Sequence, residues 1–338
     1  MYKTGPPEVL DLTPNTPLKI MDQKFSGQKA WINEELSEAD WKIKLTKKAL
    51  KEIRTMKDRI SANPLPILLR EAGQFKIPEL RIIFSKAKKI LNQECGFCVI
   101  ERMPMEEIRS EELVECYWIL SQLIGRTVAQ KWDGTMIYDV TDTGKSSSYG
   151  VRGSYTNDEL FFHNDNAFGI CLPEYVGLFC KNQAFKGGTS RFCSIYSVHN
   201  RMLENYPRQL ERLYRPMLFD RQKEHEDGAE KMTWAPFFYW DGYRLHARVN
   251  ISLVYKGYKL ANNAMDNELE DSLESLAQVF SSKDLWIEDK LDRGQIQFLN
   301  NMELVHFRSK FYDHEDPELK RHLYRTWHRN SGERSYDG

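Results

Sequence analysis

The chain has 338 residues, 41% hydrophobic and 29% charged, with a formal net charge of -1. That mix is typical of a water-soluble globular protein, and the near-neutral balance offers no electrostatic footprint for nucleic acid or for an anionic membrane surface. No apolar run of about 18 residues is present, which excludes a transmembrane helix, and Met1–Pro14 lacks the basic start and apolar stretch of a secretory leader, so a cytoplasmic location is expected.

In chain order, residues 1–35 are punctuated by Pro and Gly and read as an N-terminal arm running over the surface. Ser37 has the pattern of a helix cap, and a helix is expected from there to about Ile60, with Trp41, Ile43, Leu45, Leu50 and Ile53 behind the cap. The segment Asn63-Pro64-Leu65-Pro66 breaks it. A second amphipathic helix is expected over Glu79–Leu91. Gly96–Arg102 is a β-prone apolar run, Ser110 opens a helix to about Gly125, and 127–141 reads as extended. Residues 146–154 form a polar loop. Beyond it the pattern is mainly β, with strands at Tyr175–Phe179, Thr189–Phe192, Phe237–Trp240, Leu245–Ile251 and Ile296–Asn300. Asp241-Gly242 between two of these is a hairpin signal. Helices interrupt at Ser197–Tyr206 and Asn267–Ser281. This order predicts a mainly β fold with α decoration, a jelly-roll core flanked by helices. One domain over 36–330 is expected, with a helical flank at about 36–125, a jelly-roll core at about 126–330, and a C-terminal tail at 331–338.

The six cysteines lie at 95, 98, 116, 171, 180 and 193. Cys95 and Cys98 have the C-x-x-C spacing of a metal or redox pair, but no second pair follows and they open an apolar run. Reduced, buried thiols are the expected state.

The chemistry-bearing pattern is His163-Asn164-Asp165, followed far along the chain by His306 and then by Arg321 and Arg325. In an extended segment residues i and i+2 share a face, so His163 and Asp165 can reach one metal with Asn164 turned away. Two imidazoles and a carboxylate on one face leave the other face open, the arrangement of non-heme iron(II) oxygenases. His306 ends a Gly-led strand and turn, Gly294-Gln295-Ile296-Gln297-Phe298-Leu299-Asn300-Asn301 and the residues after it. Arg321 and Arg325 share a face and suit the carboxylate of an organic acid.

In their order along the chain, His163-Asn164-Asp165, Lys186-Gly187-Gly188-Thr189-Ser190, the Gly294–Asn301 segment, His306 and Arg321-His322-Leu323-Tyr324-Arg325 resemble the TauD/TfdA (taurine dioxygenase-like) family. The approach Tyr155-Thr156-Asn157-Asp158-Glu159-Leu160 is similar to that of its γ-butyrobetaine hydroxylase-like members. The resemblance covers roughly 95–330. It implies a double-stranded β-helix, jelly-roll and cupin-like, in an iron(II)- and 2-oxoglutarate-dependent dioxygenase. By the same resemblance His163, Asp165 and His306 bind Fe(II). Arg321 pairs with the distal carboxylate of 2-oxoglutarate, helped by the hydroxyl of Ser190 or, one position earlier, Thr189. Arg325 supports 2-oxoglutarate or meets an acidic group of the substrate. With O₂, such a site abstracts hydrogen from an unactivated C–H bond of a small molecule and releases succinate and CO₂. Hydroxylation is the default outcome; desaturation, cyclisation and epimerisation share its start. Halogenation is disfavoured, because Asp165 fills the position that halogenases leave to chloride. The substrate pocket is expected to involve Tyr155, Asn157, Phe161, Phe168, Arg248 and Arg325. Family habit leaves room for a homo-oligomer. The rival classes are a non-oxidative jelly-roll metalloenzyme, for which Arg321 would be dispensable, and a catalytically silent binding protein, against which the complete ligand set argues.

Overall fold

The computed structural model describes residues 9–145 and 150–337. Residues 146–149 of the expected polar loop, the first eight residues of the expected arm and the terminal Gly338 lie outside them. Among the described residues the largest sheet has seven strands. Its order is Lys42–Lys44, Phe97–Glu101, Ile296–Asn300, Tyr175–Asn182, His322–Arg329 and Arg126–Val128, with Tyr138–Val140 also paired to His322–Arg329. A second sheet has four, in the order Trp286–Asp289, Ser190–Ser194, Leu304–Arg308 and Leu160–His163. Phe97 of the large sheet stacks on Phe192 of the small one, with ring centroids 4.4 Å apart, so the two sheets face each other across a filled end. This is the expected mainly β, jelly-roll architecture with helices outside.

Three helices, Lys47–Ala62, Pro78–Gln93 and Ser110–Ser121, pack together and onto the large sheet through one apolar core. Phe84 meets Phe298 at 6.0 Å, and Tyr117 stacks on Phe179 while its hydroxyl shares a 2.7 Å hydrogen bond with Thr326. A second core joins the helices Ile195–Asn205, Pro207–Leu213, Ile251–Leu260 and Asn267–Phe280 to the small sheet, where Phe162 stacks on Phe280 at 4.9 Å. The candidate site lies between these two cores.

The helix expected from Ser37 to Ile60 is broken. A single turn, Glu38–Trp41, leads into the strand Lys42–Lys44, which adds in parallel to Phe97–Glu101, and the helix proper starts only after Thr46, whose hydroxyl accepts from the Ala49 amide. Trp41, Ile43 and Leu45 repeat every second residue, the strand period, and pairing with the sheet edge wins over helix propagation. The expected helical flank therefore supplies two strands of the large sheet. The strand expected over Leu245–Ile251 stops at Ala247, because the Asn250 side chain accepts from the Leu253 amide and caps a helix from Ile251. The Asp241-Gly242 hairpin forms, with Phe238–Trp240 antiparallel to Leu245–Ala247. The arm does not stay on the surface: Val9–Asp11 pairs with Met232–Ala235, and Trp31 is buried beside Phe97, donating its indole N–H to the Cys95 carbonyl. Cys95 and Cys98 are buried free thiols, and burial pushes the Cys95 thiol up to about 12.

Two histidines are sealed into the cores. His199 lies 2.7 Å from the Tyr214 hydroxyl and His328 lies 2.8 Å from the Thr326 hydroxyl, and burial pushes both imidazoles down to about 4. Each is neutral in the folded protein but takes up a proton in the unfolded chain near 6.5. Their contribution to stability is whole above that value and is lost as pH falls towards 4, at about 1.4 kcal/mol per pH unit for each histidine. Urea unfolding at a series of pH values across this window should show the slope, and His199→Gln should flatten it by one histidine's share. A variant with the wild-type slope would mean that His199 is not sealed.

Candidate metal centre

The strand Leu160–His163 alternates, so Phe162 faces the helix Asn267–Phe280 and His163 faces the space between the sheets. His163 Nδ1–H donates to the Phe161 carbonyl at 2.7 Å, which leaves Nε2 free as a metal ligand. Asn164 turns the other way and is spent on backbone. Its Oδ1 accepts from the Val249 amide, and its Nδ2 donates to the carbonyls of Asn301 and Leu304. Asn301, at the end of the Gly294–Asn301 segment, clamps the next residue. Its Oδ1 accepts from the Asp165 amide at 2.8 Å, and its Nδ2 donates to the Asp165 carbonyl at 3.0 Å.

His306 sits in the strand Leu304–Arg308 directly opposite His163, with the two ring centroids 4.2 Å apart. Asp165 Oδ1 lies 3.6 Å from His163 Nε2 and 3.5 Å from His306 Nε2. Asp165 Oδ2 points the other way, towards the large sheet. There it accepts from the Trp327 indole N–H at 2.8 Å and faces Arg325 Nη1 at 3.0 Å. Burial pushes the Asp165 carboxyl up, but Arg325 and the two imidazoles outweigh that and hold it well below the usual carboxylate range. Burial, reinforced by His163, holds His306 below its ordinary value. Two imidazoles and one firmly ionised carboxylate, their ligand atoms all within 4.8 Å of one another, are a donor set that fits Fe(II).

Arg321 and Ser190 line a second, tighter recess between the sheets. The turn before Ser190 depends on glycine. Gly187 and Gly188 have φ of 76° and 70°; a Cβ on Gly187 would lie 2.1 Å from the Lys310 carbonyl oxygen, and one on Gly188 would press on Arg321 Nε. Thr189 points away, its hydroxyl bonded to Ser309, so of the two candidates Ser190 is the one placed beside Arg321. Arg321 is buried, and its Nη1 has no partner among the described residues. Burial pushes its guanidinium down to about 10. Arg325 is not in this recess. Gln130 Oε1 accepts from its Nε, and it lines the cleft that opens on His163 and Asp165.

That cleft has a volume of about 260 Å³. Phe161, Phe168 and Arg325 line it, as expected. Tyr155, Asn157 and Arg248 do not. Tyr155 packs on Tyr138, the Asn157 carbonyl is spent on the Phe311 amide, and Arg248 donates to the carbonyls of Ala167, Gly169 and Ile170 on the far side of that loop. Burial pushes the Arg248 guanidinium down to about 10, so it acts as a strap for backbone. Sequence reading missed Trp327, Asn301, Lys256, the buried Arg152–Glu224 ion pair, and Tyr336. Tyr336 comes from the expected tail, which folds back so that Asn166 Nδ2 donates to the Asp337 carbonyl. Trp327 had a signal, since it lies two residues beyond Arg325 on the same face of one strand.

The family model described as "Taurine catabolism dioxygenase TauD, TfdA family" matches residues 62–327. The chain belongs to this family and is an Fe(II)- and 2-oxoglutarate-dependent dioxygenase. It is similar to FR-33289 synthase of Streptomyces rubellomurinus (strain ATCC 31215), with 22% identity over 92% of this chain and 91% of that protein. A taurine hydroxylase-like protein of Stachybotrys chartarum (strain CBS 109288 / IBT 7711) is 23% identical over 89% of this chain and 79% of its own. Among solved structures, asparagine oxygenase with Fe(II), 2S,3S-3-hydroxyasparagine and succinate shares the fold, with a TM-score of 0.64, 15% identity and coverage of 85% of this chain and 93% of that one. The non-heme iron oxygenase OrfP with Fe, succinate and (3S)-hydroxy-L-Arg does so with a TM-score of 0.61, 16% identity and coverage of 86% and 94%.

The Asn301 clamp should matter to the metal although Asn301 offers it no ligand. Asn301→Ala is expected to weaken Co(II) or Fe(II) binding about 10–100-fold in an anaerobic metal titration. Wild-type affinity would show that Asp165 holds its place without the clamp.

Proposed function

We propose that His163, Asp165 and His306 hold Fe(II), that Arg321 and Ser190 hold the distal carboxylate of 2-oxoglutarate, and that the cleft beside Arg325 takes a small polar substrate for hydroxylation at a C–H bond. The observation that carries this reading is the shared focus of His163 Nε2, His306 Nε2 and Asp165 Oδ1. Arg321, whose Nη1 has no partner among the described residues, lies farther along the same inter-sheet space, on the strand face that Arg325 and Trp327 share.

When bound, Fe(II) supplies the place where O₂ is reduced as 2-oxoglutarate loses CO₂ and leaves as succinate. The chain's own residues orient and insulate. Trp327 and Arg325 fix Asp165 Oδ2, which leaves Oδ1 as the oxygen that would face a metal. The Phe161 carbonyl sets the His163 tautomer. Arg321 gives the co-substrate one direction of entry, because a guanidinium in a narrow recess accepts a carboxylate and little else. Phe161, Phe168 and Trp327 give the cleft wall an apolar surface near the ligands.

The cleft is bordered by cations at Arg152, Lys256 and Arg325 and by anions at Asp158, Glu159 and Glu224. Such a border suits a zwitterion of amino-acid size. The hydroxy-amino acids bound by the asparagine oxygenase and OrfP structures are of that kind.

Anaerobic addition of Fe(II) and 2-oxoglutarate should give the metal-to-ligand charge-transfer absorption of a chelated 2-oxoacid, and a zwitterion from an amino-acid screen should perturb it and stimulate O₂-dependent succinate formation. His163→Ala should abolish both. Arg321→Ala should raise the KM for 2-oxoglutarate by about 10–100-fold, the worth of a charge-assisted pair. Turnover that ignores Arg321→Ala would point to a non-oxidative metalloenzyme instead.

A further inference from the structure

Arg308 is a second buried cation next to Arg321, and nothing assigned above uses it. It lies two residues after His306 in one strand, and so faces the same inter-sheet space, directly opposite Ser190. Its guanidinium carbon sits 4.9 Å from the centroid of the Phe311 ring, and that of Arg321 sits 4.8 Å from the same ring. Arg308 is 6% exposed and Arg321 5%. Arg308 Nη2 is committed, donating to the carbonyls of Thr156 and Asp158. Its Nε and Nη1, together with Arg321 Nη1, are buried without a partner among the described residues, and neither guanidinium makes an ion pair with a carboxylate there. Two like charges buried side by side with open N–H groups are costly unless an anion joins them. A carboxylate has enough lone pairs to accept from both forks at once.

We propose that the distal carboxylate of 2-oxoglutarate is held between Arg308 and Arg321, and that Arg308 is a co-substrate-binding residue in its own right. The proposal rests on the assignment of Arg321 made above. Arg308 also ties the co-substrate to the neighbouring cleft. The carbonyls it straps, Thr156 and Asp158, belong to the segment that leads into the His163 strand, and both residues line the substrate cleft. Filling the recess therefore steadies one wall of that cleft before the substrate arrives.

The test compares 2-oxoglutarate with 2-oxobutyrate, which keeps the chelating 2-oxoacid and lacks the distal carboxylate. Both are titrated anaerobically into Fe(II)-loaded protein by calorimetry, with Co(II) binding followed separately to report an intact triad. Arg308→Gln is expected to bind 2-oxoglutarate about 10–100-fold more weakly, with 2-oxobutyrate and Co(II) affinities unchanged, and Arg308→Lys to recover part of the loss. Wild-type affinity of Arg308→Gln for 2-oxoglutarate would overturn the proposal, leaving Arg308 as a backbone strap. So would an equal loss for both 2-oxoacids, which would mean a displaced loop. Should Arg308→Gln fail to fold, Arg308→Lys decides alone: a loss confined to 2-oxoglutarate supports the second arginine, and no loss overturns it. A wild-type protein that binds no 2-oxoglutarate would instead bring down the assignment of Arg321.

Discussion

Asp165 sets one carboxylate oxygen against two imidazoles and the other against an indole N–H and a guanidinium, and in doing so joins the two sheets through a single side chain. The imidazoles come from the small sheet, and Trp327 and Arg325 from the large one. A carboxylate buried between sheets is unfavourable unless both its oxygens are satisfied. Here the cationic side compensates one and the proposed metal the other. The backbone clamp by Asn301 and the outward turn of Asn164 keep the carboxylate from rotating away from either.

From that carboxylate the inter-sheet space changes character along its length. At one end lie the imidazoles and Asp165, and at the other lie Arg308, Arg321 and Ser190, with Leu323 alongside. A molecule with a chelating head and an anionic tail matches this order, and the alternation of side chains along two strands produces it. His306 and Arg308 share one face of Leu304–Arg308, while Leu323, Arg325 and Trp327 share one face of His322–Arg329. On the assignment proposed above, strand geometry sets the spacing between the two ends of the co-substrate.

The sequence told most where chemistry and period coincide. His163, Asp165 and His306 were legible because their residue types are few and their spacing suits strands, and the Ile296–Asn300 strand falls where its apolar run predicts. Less legible were features decided by tertiary contact. Trp41, Ile43 and Leu45 satisfy both a helix cap pattern and a strand period, and only the open edge at Phe97–Glu101 settles the choice. Arg248 and Arg308 look alike in sequence, yet one closes a loop of carbonyls and the other keeps open donors beside Arg321. Thr189 and Ser190 are separated only by which face of a strand each takes. Tyr336 carried no signal, since a tail residue becomes part of a cleft wall only when the tail folds back.

The link between Asp165 and Trp327 spans 162 positions. During synthesis, the segment carrying His163 and Asp165 is made long before its partners, and its carboxylate has neither His306 nor the indole and guanidinium that hold it. A nascent chain in that condition offers at most a loose two-residue metal site. Pairing of His322–Arg329 with Tyr175–Asn182 must wait for most of the molecule, and so must the geometry that selects the ion. The complete ligand set therefore exists only once Leu304–Arg308 has paired with Leu160–His163 and His322–Arg329 has brought Trp327 and Arg325 to Asp165.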